Sequence, residues 1–203
     1  MLAALFDFDG VIVDTEGQYT EFWGEMGRLF RPDVPDLAFR IKGQTLFQIY
    51  DGWFPDVRVR DEISQRLEAF EHTMRFPYIA GAKEYVAYLR QHNVKCAVVT
   101  SSHDLKMSFA HAAMPSLRTD VDAILTAESF TRSKPDPQCY LVAAERLGVA
   151  PKDCVVFEDS LNGIRSGKAA GMYTVGLATT NPKEVIAPLC DEVIADFRGY
   201  TKH

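Results

Sequence analysis

Apolar and polar positions follow two rhythms along the chain. Short, nearly continuous apolar runs occupy residues 2–6, 94–99, 123–125, 154–157 and 173–175. A strand buried on both faces of a parallel sheet reads this way, because neither face meets water. Between the runs, apolar residues recur at helical spacing with clear punctuation. Asp136 before Pro137 predicts an N-cap followed by proline at the first helical position, and Gly148 a C-terminal stop. Ser160 is placed to cap a helix that ends at Gly171. Strands alternating with helices of this length predict an α/β fold, a doubly wound parallel sheet with helices on both faces.

Residues 16–78 break the alternation. This stretch holds no strand-like run, while Phe22, Met26, Leu29 and Phe30, and then Ile63, Leu67 and Phe70, fall at helical spacing. Pro32, Pro35, Pro55 and Pro77 divide it into short helices. The expected organisation is a core of residues 1–15 and 79–203 with an α-helical cap, residues 16–78, inserted after the first strand. Such an insert sits above the carboxyl ends of the strands, where open α/β sheets bind ligands. The segments Asp14-Thr15-Glu16 and 76–81 are the expected hinges.

Composition narrows the partners. Of 203 residues, 47% are hydrophobic and 25% charged, with a formal net charge of -6. No basic footprint for nucleic acid is present, so the expected partner is a small molecule, and the expected state a monomer. The apolar start is broken at once by Asp7 and Asp9, which predicts neither a signal peptide nor a membrane span; a cytoplasmic location is expected. The cysteines Cys96, Cys139, Cys154 and Cys190 form no C-x-x-C pair and read as reduced, packed thiols.

The candidate chemistry lies at the ends of the predicted strands. Asp7-Phe8-Asp9-Gly10 follows the first run. Extended backbone puts both aspartates on one side, and Gly10 lets the chain turn. Carboxylates this close repel unless a cation compensates them, which a hard divalent ion such as Mg²⁺ does with oxygen ligands. Glu158-Asp159-Ser160 ends another buried run at the same sheet edge, and Thr100-Ser101-Ser102 ends a third at a helix start suited to anions. Lys134, within Ser133-Lys134-Pro135-Asp136-Pro137, adds one ammonium on stiff backbone. Acids, hydroxyls and a lysine converging from four strand ends make a phosphate-and-metal constellation.

These motifs, in this order, resemble the haloacid dehalogenase-like (HAD) superfamily, with its Rossmann-like core. Residues 155–172 are similar to the subgroup of β-phosphoglucomutase and phosphoglycolate phosphatase, and residues 16–78 match that subgroup's helical cap. The resemblance implies Asp7 as the nucleophile that becomes an aspartyl-phosphate, and Asp9 as general acid and then base. It implies Mg²⁺ held by Asp7, the Asp9 carbonyl and Asp159, with Glu158 supporting. Thr100 and the Ser101 backbone would grip the phosphoryl oxygens, and Lys134 would neutralise Asp7. On this division of labour Asp7 stays ionised while Asp9 carries a proton as the leaving group departs. Dehalogenases of the superfamily lack the second aspartate, so Asp9 favours phosphoryl chemistry.

The mutase pattern has a histidine where this chain has Tyr19, and an arginine shortly after a Lys-Gly pair; here Lys42-Gly43 is followed by Gln44-Thr45-Leu46. Arginine grips phosphate bidentately, so its loss argues for a phosphatase of a small phosphorylated metabolite over a phosphohexomutase. A non-catalytic binder on the same scaffold is the remote alternative. Gly10, Thr15, Tyr19, Lys42, Ser101 and Ser102 complete the expected substrate-binding set, with His103 a further candidate. Gly163, Gly167 and Gly171 fail the G-x-x-x-x-G-K-[ST] template and read as helix–sheet packing. Trp23, Trp53 and the insert's phenylalanines read as its own core.

Overall fold

The computed structural model describes residues 1–42 and 44–202; Gly43, of the Lys42-Gly43 pair, and His203 lie outside them. Among the described residues six parallel strands form one sheet: β1 (Ala3–Phe6), β2 (Lys95–Val99), β3 (Ala123–Leu125), β4 (Cys154–Glu158), β5 (Tyr173–Leu177) and β6 (Glu192–Ile194). Their spatial order is β3-β2-β1-β4-β5-β6. The five predicted strands are present. The sixth was not foreseen, because its three half-buried residues at the sheet edge give too short an apolar run to stand out.

Burial on both faces explains the runs. Along β1, Ala4 and Phe6 face one core cluster while Ala3 and Leu5 face another. The first face is covered by α5 (Ala82–Gln91), α6 (Asp104–Ala113) and the short α7 (Leu117–Asp120), which contribute Tyr85, Leu89, Met107, Ala110 and Leu117. Phe6 stacks on Phe157 across the β1–β4 pair with ring centroids 4.8 Å apart. The opposite face is covered by α8 (Gln138–Leu147) through Cys139, Tyr140, Ala143 and Leu147. The expected caps lie close to where the sequence put them. The Gln138 amide donates to the Asp136 carboxylate at 2.9 Å, one residue later than read, and Gly148 closes α8 with φ 66°. In α9 (Leu161–Ala169), the Gly163 amide donates to Ser160 Oγ at 3.0 Å.

Residues 16–78 contain helices α1 (Glu16–Phe30), α2 (Leu37–Arg40), α3 (Leu46–Trp53) and α4 (Val57–Thr73), with no strand among the described residues. They hold a core of their own: Phe22, Trp23, Met26, Leu37, Ile49, Phe54, Ile63 and Leu67. Leu29 departs from the predicted stripe. It is 52% exposed, because α1 buries the face marked by Phe22 and Met26 and Leu29 falls off it. The two chain crossings into this insert run side by side. The Asp14 amide donates to the Pro77 carbonyl at 2.8 Å and the Ile79 amide to the Ile12 carbonyl at 2.9 Å. No helix among the described residues is long and apolar enough to cross a membrane.

Candidate active site

The strand order reverses at β1: its neighbours β2 and β4 lead to opposite edges of the sheet. Asp7 leaves the end of β1, and Glu158 and Asp159 close β4 beside it. A crevice forms at such a switch point because the connections on either side depart to opposite faces. One ligand oxygen from each of Asp7, Glu158 and Asp159 lies within 4.8 Å of the others, all three residues being buried.

A single ammonium stands among them. Lys134 Nζ donates to Asp7 Oδ1 and to Glu158 Oε1, both at 2.7 Å, and to the Val99 carbonyl at 3.1 Å. Burial opposes its charge, but Asp7 and Glu158 hold its pKa well above the ordinary value. Glu158 is fully satisfied. Its Oε1 also accepts from the Tyr140 hydroxyl at 3.0 Å, and its Oε2 accepts from the Asp159 and Ser160 amides at 3.0 and 2.9 Å. Gly163 lets this carboxylate sit against α9, since a Cβ there would lie 1.6 Å from Glu158 Oε1.

Asp7 and Asp159 are less well compensated. Burial raises the pKa of Asp7 to about 7; Lys134 works against this, and the charges of Glu158 and Asp9 add to it. Burial also pushes Asp159 well up, with Glu158, Glu16 and Asp7 in support. Three buried carboxylates sharing one ammonium are short of positive charge, and an all-oxygen donor set suits a hard divalent cation. The residues therefore fit a hard divalent cation such as Mg²⁺, which Asp7, Glu158 and Asp159 are placed to hold.

Asp9 belongs to a second polar group, on the insert side. Its Oδ1 accepts from the Thr15 hydroxyl, and its Oδ2 from the Ser102 hydroxyl at 2.9 Å and Lys106 Nζ at 2.5 Å. Burial alone would raise its pKa, but the Lys106 charge and these three hydrogen bonds together hold it below the usual carboxylate range. The protein's own groups thus favour ionised Asp9 more than ionised Asp7, whereas the ordering expected from sequence has a metal ion beside Asp7. The expectation missed Lys106. This residue is 1% exposed and lies over the Tyr19 ring, 4.4 Å from its centroid. A signal was present, since Lys106 lies four residues after Ser102 on the face of α6 that buries Met107 and Ala110.

The other expected residues scatter around these two groups. Thr100 is buried, its hydroxyl accepting from the Ser102 amide at 3.0 Å. Ser101 Oγ is buried without a hydrogen-bond partner and lines the cleft; Thr180, which sequence reasoning did not consider, lines it too, with its hydroxyl turned to Asp159. Lys42 lines the cleft with Nζ 2.5 Å from Glu16 Oε2. Tyr19 and His103 line it too, and both turn to Glu71, a residue not foreseen: the Tyr19 hydroxyl donates to Glu71 Oε1 at 2.7 Å, and His103 Nε2 is 3.4 Å from Oε2. Trp23 is part of the insert core, as expected, and also forms cleft wall. Two residues stand behind the wall. Thr15 is fully buried against Asp9. Gly10, with φ 75°, backs onto Asp159, whose Oδ2 would lie 2.1 Å from a Cβ.

An α/β scaffold with carboxylates and one ammonium at its switch point, under a helical insert, defines an enzyme of the hydrolase class. The chain belongs to the haloacid dehalogenase-like hydrolases, whose family profile matches residues 1–171. It is 31% identical over 193 residues to the validoxylamine A 7'-phosphate phosphatase of Streptomyces hygroscopicus subsp. limoneus, covering 91% of this chain and 89% of that protein. It is 28% identical to the β-phosphoglucomutase of Bacillus subtilis, covering 90% and 85%. In fold it matches the family IA, variant 3 HAD hydrolase of Entamoeba histolytica with a TM-score of 0.82 at 22% identity, over 99% of this chain and 96% of that one.

Proposed function

We propose that the protein is a Mg²⁺-dependent phosphatase of a small phosphorylated metabolite, working through an aspartyl-phosphate on Asp7. The observation that carries this reading is the Asp7–Lys134 contact at 2.7 Å beside the Asp7, Glu158 and Asp159 carboxylates. A nucleophilic carboxylate needs its negative charge tolerated while a dianionic phosphate approaches, and the ammonium serves both. Asp7 and Asp159 would hold a divalent cation, which would supply the further positive charge needed to keep Asp7 ionised beside the phosphoryl oxygens.

The chain's own residues do the rest. Asp7 attacks phosphorus in line with the leaving oxygen. Thr100, Ser101 and Lys134 hold the transferring group, the free Ser101 hydroxyl being available as a donor. Asp9 takes a proton from solvent as the phosphate dianion settles beside it, and passes that proton to the leaving oxygen. Once the phosphoenzyme has formed, Asp9, in the ionised form that Lys106, Thr15 and Ser102 favour, takes a proton from a water whose oxygen attacks phosphorus, and the bond to Asp7 breaks to release phosphate. The segments Asp14-Thr15-Glu16 and 76–81 serve as hinges, so that the insert can admit substrate and then exclude water.

The likeness to a mutase favours a second reading, return of the phosphate to another hydroxyl of the same sugar. Two features of this chain weigh against it: Tyr19, at the mutase histidine's place, has its hydroxyl committed to Glu71, and Gln44-Thr45-Leu46 supplies no arginine. Phosphate release from a panel of sugar phosphates, phosphoglycolate and pyrophosphate with Mg²⁺ tests the proposal. Asp7→Asn is expected to abolish release with an unchanged circular dichroism spectrum. Interconversion of hexose phosphates without net release establishes the mutase instead, and no turnover of any panel member leaves a binder.

A further inference from the structure

Glu71 comes from the insert helix α4 and is 2% exposed, yet its Oε2 accepts no hydrogen bond. A buried carboxylate oxygen left unpaired is costly, and native structures retain one chiefly where a ligand completes it. The other oxygen is taken by the Tyr19 hydroxyl at 2.7 Å, which fixes the carboxylate's orientation. His103 Nε2, at 3.4 Å, forms an ion pair with Oε2 when its imidazole is protonated but donates no hydrogen bond to it. All three side chains line the same cleft as Asp7 and Asp9.

We propose that Glu71 is a specificity-determining residue whose Oε2 accepts a hydrogen bond from a hydroxyl on the non-phosphorylated end of a polyhydroxylated substrate. This rests on the phosphatase reading and deepens it. The geometry separates the two ends of the ligand. From Asp9 the contacts run through Lys106, over the Tyr19 ring, to Glu71, so the acceptor is several side-chain contacts away from the reacting phosphorus. Trp23, Ile41, Ile49 and Leu67 line the same space and offer an apolar wall to the C–H face of a carbon chain or ring.

The donor that best suits Oε2 is a neutral hydroxyl rather than an ammonium. The cation-capable groups His103 and Lys106 face the carboxyl from α6, while Tyr19 faces it from α1. A substrate ammonium placed there would meet His103 and Lys106 directly. Burial also biases the carboxyl toward its neutral form, which weakens its hold on a cation while leaving it an acceptor.

The test compares ligands across one substitution. In the Asp7→Asn background, calorimetry measures binding of a phosphorylated six-carbon polyol, its singly deoxygenated analogues, and the analogue carrying an amine at the sensitive position. With Glu71 intact, removal of one particular hydroxyl is expected to weaken binding about 10-fold, the scale of one well-made buried hydrogen bond. In Glu71→Leu, which removes both acceptor oxygens at similar length, that ratio is expected to fall to about 2-fold or less; Glu71→Asp, which draws the carboxylate back, carries the same comparison if the first variant does not fold. A merely structural role for Glu71 would weaken all ligands alike and leave the ratio unmoved, which overturns the proposal. Tighter binding of the amine than of the hydroxyl overturns the assignment of donor. Failure of wild-type enzyme to release phosphate would refute the phosphatase reading separately, because the binding ratio needs no turnover.

Discussion

Lys106 Nζ lies 2.5 Å from Asp9 Oδ2, in a pocket where the lysine side chain is 2% exposed and the aspartate 14%. The pair joins the predicted acid–base residue to a helix that carries none of the family motifs. It also joins the core to the insert, because the same ammonium rests over the Tyr19 ring of α1.

Removing one partner of a buried ion pair strands the other. Lys106→Met is therefore expected to destabilise the protein by about 3 kcal/mol. Asp9→Asn keeps one acceptor oxygen, which serves Thr15, but loses the charge and the acceptor that Ser102 and Lys106 use. In the double variant neither charge is left unpaired, so the two losses should add up to clearly more than the double variant's loss. Urea unfolding of the four proteins checks this, and strict additivity would show that the pair is not energetically coupled.

Lys106 also shows what sequence could and could not deliver. The sheet was legible because β1, β2, β4 and β5 are buried on both faces and so read as unbroken apolar runs; β6, three residues at an edge, carries too little signal. Asp7, Lys134, Glu158 and Asp159 were legible as candidates because each ends a strand or opens a helix, where topology alone converges them. Lys106 and Glu71 lie inside helices, where a charged residue ordinarily reads as solvated surface. Only the packing of α1, α4 and α6 against one another turns both inward, and that relation spans residues 19, 71 and 106. The pKa ordering of Asp7 and Asp9 was out of reach for the same reason.

The acidic cluster makes stability respond to metal. A cation that binds only the folded protein stabilises it by about 2.7 kcal/mol at a hundred times its Kd. Mg²⁺ is thus expected to raise the thermal midpoint of EDTA-treated enzyme, and Asp159→Asn to abolish most of that rise. A midpoint that ignores Mg²⁺ in the wild type, by thermal shift at fixed pH, would remove the metal from the reading.

Gly163 should be more sensitive than its place inside a helix suggests. Alanine ordinarily favours a helix interior over glycine by up to about 1 kcal/mol. Here its methyl group would meet Glu158 Oε1 at 1.6 Å, and Glu158 is held by Lys134, Tyr140 and three donors from residues 159 and 160. Gly163→Ala is expected to lower both stability and the Mg²⁺ response. An unchanged or raised midpoint would mean that the carboxylate moves aside freely.

Glu71 gives stability a pH dependence whose sign can be worked out. Burial raises its folded pKa above the ordinary 4.5, with His103, Tyr19 and Lys106 opposing less strongly. The folded state therefore holds this proton more tightly than the unfolded state does. The stabilisation is complete below about pH 4.5 and is lost as pH climbs through the raised folded value, where the carboxyl must ionise while buried. Glutamine at this position keeps the shape and cannot ionise. The stability of Glu71→Gln relative to wild type should consequently rise as pH increases from about 4.5 toward neutrality, since only the wild type incurs the ionisation cost. Urea midpoints of the two proteins across that range decide the matter, and a difference that is flat or falls with pH would show that the carboxyl is not strained toward its neutral form.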